Sequence, residues 1–195
     1  MRIIAGNLKA KRIEGPKTEK TRPTLDRVKE ALFSILTNSM QDAYVLDLFS
    51  GTGNLAIEAL SRGAKFAWLN DHQNICISTI LNNIKLTNLE NCVKITKKDY
   101  TKCLNQIVNE AYTFDIIFLD PPYDSNLGID TLNFISSSKN KVLKKDGIIV
   151  YETDKAFLKK IQMRNTNILD EFENLECFDT RQYGTVVIKL YKWRD

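Results

Sequence analysis

The sequence has few of the residues that metal centres and disulfide frameworks require. It contains one histidine, His72, and its four cysteines lie far apart without a C-x-x-C pair. Zinc sites need closely spaced cysteine and histidine ligands, so we predict no metal site and reduced thiols packed as small core residues. No apolar run approaches the roughly 20 residues of a membrane-spanning helix, and the N-terminus lacks the apolar stretch of a signal peptide. These absences favour a cytoplasmic protein without membrane attachment.

Segments with the pattern of strands alternate with helical segments over most of the chain. The strand-like "YVLDLF" precedes the helical "NLAIEALSRG", and this order repeats up to "DIIFLD". Such alternation is typical of right-handed βαβ units and a parallel sheet. We therefore expect one α/β domain over residues 24–195, a mostly parallel sheet with helices on both faces. Residues 1–23 are predicted to form a basic hairpin and extension, and Thr24 to cap a helix that ends near Asn38.

Positive charge is concentrated at the N-terminus. Residues 1–22 hold seven basic residues and two acids, which accounts for all of the chain's net charge of +4. A basic segment on a near-neutral body suggests a polyanionic partner such as nucleic acid, although a solvated tail would have the same composition. The candidate nucleic-acid contacts are Arg2, Lys9, Lys11, Arg12, Lys17 and Lys20.

A glycine turn lies between a buried strand and an amphipathic helix in "VLDLFSGTGNLAIEAL". Gly51 and Gly53 would let a nucleotide-like ligand approach the backbone closely. Two cofactors compete for this turn. The pattern Gly51-x-Gly53-x-x-Ala56 followed by Asp71 passes a loose test for a dinucleotide, whereas Asp47, just before the glycines, would repel a pyrophosphate and accept from a cationic amino group. The acid favours S-adenosyl-L-methionine, but the turn alone leaves both open.

Another buried strand, "DIIFL", stops at the motif "DPPY", residues 120–123. An exocyclic amine on a base is a weak nucleophile and must be oriented. It would donate to the carboxylate of Asp120 and to the carbonyl of Pro121, while the rings of Pro121 and Pro122 keep the loop rigid. Tyr123 offers a flat face on which an extruded base can stack. Catalysis would then be mainly positioning for in-line displacement.

Together these motifs resemble those of S-adenosylmethionine-dependent amino-group methyltransferases, and nearly the whole chain is similar to RsmD-type bacterial methyltransferases. The blocks "MRIIAGNLKAKRI", "TRPTLDRVKEALFSIL", "LDLFSGTGNLAIEALSRGA", "LDPPY" and "RQYGTVVIKLY" occur in that family's order. The resemblance implies a class I, Rossmann-like methyltransferase fold with a small N-terminal hairpin and helix. It also implies methylation of a guanine N2 in small-subunit ribosomal RNA, and we expect a monomer that acts on a small-subunit particle.

The resemblance also implies roles for individual residues. Asp120, Pro121, Pro122 and Tyr123 would form the catalytic group. The residues implied in cofactor binding are Asp47, Phe49, Gly51, Gly53, Asp71, Asp99, Tyr100, Arg22 and Thr24. Asp99 would bind the adenine amine and Tyr100 would supply a backbone amide, although Asp99 can equally be read as the cap of the next helix.

The chain departs from the family pattern at one position. Members commonly end the second strand with Glu-x-Asp, whose glutamate grips the ribose, whereas this chain has Leu69-Asn70-Asp71. Asp71 or Asn70 would have to replace that glutamate.

Two other functions stay open at the level of sequence. An adenine-N6 methyltransferase acting on DNA or RNA would share "DPPY", but such enzymes usually carry a target-recognition region, and only about 70 residues follow Tyr123. A non-catalytic RNA-binding protein with a Rossmann-like core is the second alternative. The intact "DPPY" argues against it.

Overall fold

The computed structural model describes residues 1–15, 23–122, 125–137, 141–163, 169 and 172–194. The helices and strands follow one another as α1 (Pro23–Ile35), β1 (Tyr44–Asp47), α2 (Asn54–Ser61), β2 (Phe66–Asp71), α3 (Asn74–Thr87), β3 (Val93–Lys97), α4 (Tyr100–Asn109), β4 (Phe114–Leu119), α5 (Leu127–Ser137), β5 (Leu143–Asp154), α6 (Lys155–Gln162), β6 (Leu175–Tyr183) and β7 (Val186–Trp193). The chain divides into two compact units, Met1–Cys103 and Leu104–Asp195. The predicted boundary between residues 1–23 and 24–195 stays a prediction.

The first unit contains three parallel strands in the order β3-β2-β1. Their register pairs Asp47 with Leu69 and Asp71 with Lys97, so the carboxyl ends of the strands meet at one edge. Ligands bind at this edge in doubly wound sheets. The apolar runs of β1 and β2 are buried, as expected for strands covered on both faces, whereas β3 alternates apolar and polar residues and is half-buried. The fully buried Trp68 lies in the middle strand, β2.

The start of α1 differs from the prediction. The helix begins at Pro23, so Thr24 is its second residue and is not the cap. A proline is favoured at the first helical position because its fixed φ suits the helix and its missing N–H would have had no partner there. The predicted end was also wrong. The α-helix ends at Ile35, and residues Thr37–Ser39 form a short 3-10 helix instead.

The predicted N-terminal hairpin forms around a single antiparallel bridge between Arg2 and Arg12. The N–H of Ile3 donates to the carbonyl of Lys11 at 3.0 Å. Ile3 and Ile13 are buried, whereas Arg2 and Arg12 are exposed. The alternation of strand side chains thus places the apolar residues against the unit and the basic ones toward solvent.

A buried carboxylate on α2 holds the hairpin. Glu58 is 0% exposed and accepts from the backbone N–H of Ile4 at 2.9 Å and of Ala5 at 3.0 Å. Lys29 and Arg62 form salt bridges with it at 2.9 and 2.8 Å. Burial alone would raise the pKa of Glu58, but the Ile4 hydrogen bond and the charge of Lys29 lower it below the usual value. The hairpin is therefore tied to the unit by an ionised acid.

The second unit contains four strands in the order β4-β5-β7-β6. The first pair is parallel and the two others are antiparallel. The run Ile116–Leu119 predicted as a buried strand lies in β4 and is buried throughout. The strand ends directly before Asp120, as its sequence predicts.

The cysteines, of which this chain has only four, are all free thiols, and Cys103 is buried. In the described part of the chain, no three His, Cys, Asp or Glu side chains are grouped so that they could hold a metal ion. Within the same residues, no helix has the length and apolarity needed to cross a bilayer.

Candidate active site

The glycine turn leaves open space beside its first glycine. Gly51 and Gly53 have φ values of 54° and 79°, in the left-handed region where other residues are strained. A Cβ at Gly51 would meet nothing within 4 Å, whereas one at Gly53 would lie 3.0 Å from the side chain of Leu69. Gly53 thus permits close packing on β2, and Gly51 leaves the backbone accessible to a ligand.

Asp47 carries a buried oxygen that has no partner. The residue is 1% exposed, and its Oδ2 accepts from the N–H of Ala56 at 3.3 Å. Its Oδ1 is buried and, among the described residues, makes no hydrogen bond. Burial raises the pKa of Asp47 to about 7; the hydrogen bond from the N–H of Ala56 and the Ser50 hydroxyl, which donates to the main-chain carbonyl of Asp47 at 2.8 Å, oppose this rise, and the nearby charge of Asp71 adds to it. A buried acceptor without a donor costs about 1–3 kcal/mol, which a ligand's cation would offset.

Asp71 supports the turn from the neighbouring strand. One of its oxygens accepts from the N–H of Gly51 at 3.0 Å, and the other accepts from the N–H of Gln73 at 2.9 Å. The first bond fixes the turn, and the second lies just before α3. The Cys76 thiol also hydrogen-bonds this carboxylate. A carboxylate has about four acceptor sites, so binding of a ribose by Asp71 is compatible with these three bonds and stays a prediction.

The two residues before Asp71 have other roles. Leu69 is fully buried beneath the glycine turn. Asn70 is also buried; its amide donates to the carbonyls of Leu48 at 3.2 Å and Lys98 at 3.0 Å and accepts from Thr96 at 2.9 Å. Both N–H donors of Asn70 are thus occupied, which leaves Asp71 as the candidate replacement for the family's glutamate.

Three further cofactor candidates lie at the ends of β1 and β3. The rings of Phe49 and Tyr100 have centroids 6.0 Å apart and are tilted by 38°. Asp99 is exposed and caps α4, because one of its oxygens accepts from the N–H of Thr101 at 2.9 Å and from the Thr101 hydroxyl. The hydroxyl bond is the main cause of the lowered pKa of Asp99. The capping interpretation is therefore correct, and the adenine contact stays a prediction.

Several predicted residues fall outside the described part or are described only in part. Those outside it are Lys17, Lys20, Arg22 and Tyr123. Thr24 is described as a helical residue without its side chain. The remaining basic candidates lie on the hairpin, with Arg2, Lys9 and Arg12 exposed and Lys11 half-buried. Arg2 also forms an exposed ion pair with Asp26 at 3.3 Å.

The predicted catalytic motif follows β4 in the second unit. Asp120 is half-buried, Pro121 is buried and Pro122 is exposed. The hydroxyl of Ser125 donates to the carbonyl of Pro122 at 2.6 Å, which stiffens the loop further. Sequence reasoning missed Ser125, although a serine three residues after a turn-forming proline is a recognisable local signal.

Sequence reasoning also missed a buried lysine beside the glycine turn. Lys29 is 4% exposed, and its ammonium donates to the carbonyl of Arg2 at 3.0 Å and to the side chain of Asn54 at 2.8 Å, beside its salt bridge with Glu58. All three ammonium hydrogens are used. The charge of Glu58 within the apolar run "LAIEAL" was the available signal, because a charge at a core position needs a buried partner.

The residues around the turn fit S-adenosylmethionine better than a dinucleotide. The unpartnered Asp47 oxygen suits an ammonium group, and Gly51 leaves space for a ligand. A pyrophosphate would use the N–H groups at the start of α2, where Ala56 already donates to Asp47. If bound here, the cofactor would be held by Asp47, Gly51 and Asp71, with Phe49 and Tyr100 as the aromatic neighbours.

Comparison with known proteins places the chain in a family. Residues 1–192 match the model of the family described as Conserved hypothetical protein 95. The chain belongs to this family. Ribosomal RNA small subunit methyltransferase D of Buchnera aphidicola (subsp. Acyrthosiphon pisum) is 37% identical over 153 residues, which cover 78% of each chain. The protein of the same name from Haemophilus influenzae is 32% identical over 156 residues, covering 80% of this chain and 79% of its own.

Solved structures agree with this membership. The structure of yhhF from Escherichia coli, named as a candidate methyltransferase, superposes with a TM-score of 0.80 at 28% identity and covers 100% of this chain and 98% of its own. The predicted similarity to RsmD-type methyltransferases and the class I, Rossmann-like fold are confirmed. S-adenosylmethionine, the predicted cofactor, agrees with the description of a structure from Streptococcus mutans as a SAM-dependent methyltransferase, which shares the fold with a TM-score of 0.64 at 18% identity.

Proposed function

We propose that the protein transfers a methyl group from S-adenosylmethionine to the exocyclic N2 amine of a guanine in small-subunit ribosomal RNA. The observation that carries this proposal is the similarity to relatives named for methylation of small-subunit ribosomal RNA, which extends over about four fifths of the chain. The glycine turn and the "DPPY" motif supply the residue types that the reaction needs.

The first unit supplies the cofactor's binding groups. Asp47 would accept from the ammonium of the methionine moiety through its unpartnered oxygen, and Asp71 would accept from the ribose. The cofactor, once bound, supplies an electrophilic methyl group on a sulfonium. The task left to the protein is to orient the amine for in-line attack on a methyl group.

The second unit supplies the groups for the base. The carboxylate of Asp120 and the carbonyl of Pro121 would accept the two hydrogens of the N2 amine, and Tyr123 would stack on the guanine. Ser125 holds the carbonyl of Pro122 and so limits movement of the loop that carries these acceptors. Accepting both hydrogens directs the nitrogen lone pair toward the methyl group.

The hairpin is the proposed RNA contact. Arg2 and Arg12 lie opposite each other across the antiparallel bridge, where like charges are unfavourable, and of the two it is Arg2 that pairs with Asp26, at 3.3 Å. An RNA phosphate between them would turn this repulsion into attraction. We expect the protein to act as a monomer in the cytoplasm, on a small-subunit particle.

The decisive experiment is methyl transfer to small ribosomal subunits that lack the modification. Incubation with S-adenosylmethionine labelled in the methyl group should yield N2-methylguanosine after digestion of the RNA, identified by mass. Methyl transfer to naked DNA, or N6-methyladenosine as the product, would favour the adenine methyltransferase instead. Binding of RNA without transfer would favour the non-catalytic alternative.

The proposed catalytic acid gives a sharper test. Asp120→Ala should retain S-adenosylmethionine binding, measured by calorimetry, and lose methyl transfer by about 10²–10³-fold, because a positioned acceptor at the reacting amine is removed. Asp130→Ala, at an exposed acid on α5, is the matched control and should retain both. Equal loss of cofactor affinity in Asp120→Ala would show that this residue belongs to the cofactor site.

A further inference from the structure

A buried asparagine joins the hairpin to the glycine turn. Asn83, in the middle of α3, is 0% exposed. Its Oδ1 accepts from the backbone N–H of Glu14 at 2.7 Å, and its Nδ2 donates to the carbonyl of the same residue at 3.1 Å. The second hydrogen of Nδ2 is donated to the carbonyl of Thr52 at 2.9 Å. One side chain thus bonds both the end of the hairpin and the residue between Gly51 and Gly53.

The amide can be placed in one orientation only. Its nitrogen lies against two carbonyl oxygens and its oxygen against an N–H, so a flipped amide would set oxygen against oxygen twice and N–H against N–H once. All three bonds must form together. A displacement of Glu14 therefore changes the position of the group that holds Thr52.

Lys29 forms a second, independent connection between the same two segments. Its ammonium binds the carbonyl of Arg2 at one end of the hairpin and the side chain of Asn54, the first residue of α2, at the other. The two connections begin on the two strands of the hairpin, near Arg2 and Glu14. They end on either side of Gly53, at Thr52 and Asn54.

We propose that Asn83 is a positioning residue that couples RNA binding on the hairpin to cofactor binding at the glycine turn. RNA held by Arg2 and Arg12 fixes the hairpin, Asn83 then fixes the carbonyl of Thr52, and the cofactor binds a turn that is already ordered. The coupling is reciprocal, since a gain in cofactor affinity caused by RNA requires an equal gain in RNA affinity caused by cofactor. This inference rests on the proposed function.

The physical reason lies in the turn's two glycines. Glycine loses more conformational freedom on ordering than any other residue, so a ligand that binds Gly51 and Gly53 must restrict a mobile backbone unless the turn is already held. A group that holds Thr52 between them reduces that loss, and ordering at one site then strengthens binding at the other without a change of shape.

The test measures the affinity for S-adenosylmethionine with and without RNA. For the wild type, calorimetry should give about tenfold tighter binding of S-adenosylmethionine when unmodified, in-vitro-transcribed small-subunit ribosomal RNA is saturating. Asn83→Asp keeps the acceptor for the N–H of Glu14 but loses both donated bonds. In this variant the effect of RNA should fall below about twofold, while binding of each ligand alone remains measurable.

Asn105→Asp is the matched control. It makes the same change at an exposed position within a helix, α4, where no hydrogen bond to Glu14 is altered. It should retain the tenfold effect. A loss of coupling in both variants would assign the effect to added negative charge and overturn the role of Asn83.

A wild-type measurement keeps the inference testable if Asn83→Asp does not fold. Addition of S-adenosylmethionine alone should slow amide hydrogen exchange in residues 2–14 as well as at the turn. Protection confined to the turn would overturn the coupling. Protection confined to the turn is distinct from failure of the proposed function. That failure would appear as absence of cofactor binding or of RNA binding in the wild type.

Discussion

At the scale of single residues, what matters at the site is whether each buried polar atom has a hydrogen-bond partner in the protein. Asp47 is the clearest case, since one oxygen accepts from Ala56 and the other has no donor among the described residues. Asn70 is the opposite case, because its amide is occupied by protein groups. An unpartnered buried atom marks a place for a ligand, and an occupied one marks a structural role.

The raised pKa of Asp47 predicts how stability depends on pH. In the unfolded chain this acid ionises near 3.8, and in the folded protein near 7. Between these values the folded state binds the proton more tightly, so the contribution of Asp47 to stability falls as pH rises and becomes constant above about pH 7. Asp47→Asn removes this titration. Between pH 5 and pH 8, the cofactor-free variant should gain roughly 2–3 kcal/mol in the free energy of unfolding relative to the wild type.

Urea unfolding at the two pH values measures this gain. Asp146→Asn, which removes an exposed carboxylate, is the control and should follow the wild type. A constant difference between Asp47→Asn and the wild type at both pH values would show that the buried carboxyl does not titrate in this range.

At the scale of elements, the hairpin and α2 meet through backbone contact. The N–H of Asn7 donates to the carbonyl of Ser61 at 2.7 Å, and the Ser61 hydroxyl donates to the carbonyl of Ala5 at 2.6 Å. Gly6, with φ of 82°, lies so close that an added Cβ would stand 1.8 Å from the Ser61 carbonyl oxygen. Only a residue without a side chain permits this packing.

Gly6→Ala should therefore destabilise the protein more than a substitution that introduces backbone strain alone. Gly184, in the turn between β6 and β7, has φ of 63° and nothing within 4 Å of an added Cβ. Gly184→Ala should lower the free energy of unfolding by about 1–2 kcal/mol, because alanine is strained in the left-handed region. Gly6→Ala should lower it by roughly 1–3 kcal/mol more, because the hairpin must also move away from Ser61. Denaturant unfolding compares the two; equal losses would mean that the hairpin shifts without cost.

At the scale of the whole molecule, charge is distributed unevenly along the chain. Residues 1–22 carry a net charge of +5 and the rest of the chain −1. On the hairpin, Arg2, Lys9 and Arg12 are exposed and Lys11 is half-buried. A polyanion bound there would release counterions, which makes its affinity depend on salt. The hairpin should therefore set the salt dependence of RNA binding.

Replacing two exposed basic residues of the hairpin tests whether the hairpin sets the salt dependence of RNA binding. Lys9→Gln with Arg12→Gln should lower the slope of log Kd against log salt concentration by about 1–2, because each lost phosphate contact on single-stranded RNA removes roughly 0.7. The control, Lys145→Gln with Lys159→Gln, removes the same charge from exposed positions in the second unit. An equal change of slope in both pairs would assign the effect to net charge and not to the hairpin.

The sequence by itself determined the features that depend on neighbouring residues. The order of strands and helices follows from local hydrophobic periodicity. The glycine turn follows from the left-handed backbone that Gly51 and Gly53 permit, and the rigid "DPPY" loop follows from the fixed φ of its two prolines. The similarity of these motifs to a known family also indicated the fold, which comparison confirmed. The start of α1 was predicted wrongly because Thr24 and Pro23 both signal a helix start, and the structure places the start at the proline.

Only the tertiary structure decided which polar groups have partners. Asp71 and Asn70 were both candidates in the sequence, and they differ because the carbonyls of Leu48 and Lys98 occupy the amide of Asn70. Lys29 and Asn83 have the local pattern of ordinary helix residues, yet each is buried against segments far away in the chain. Their hydrogen-bond partners are 25 to 69 residues away in the chain and are brought close by packing of the whole unit. Local sequence patterns reflect only neighbouring residues and therefore cannot predict such contacts.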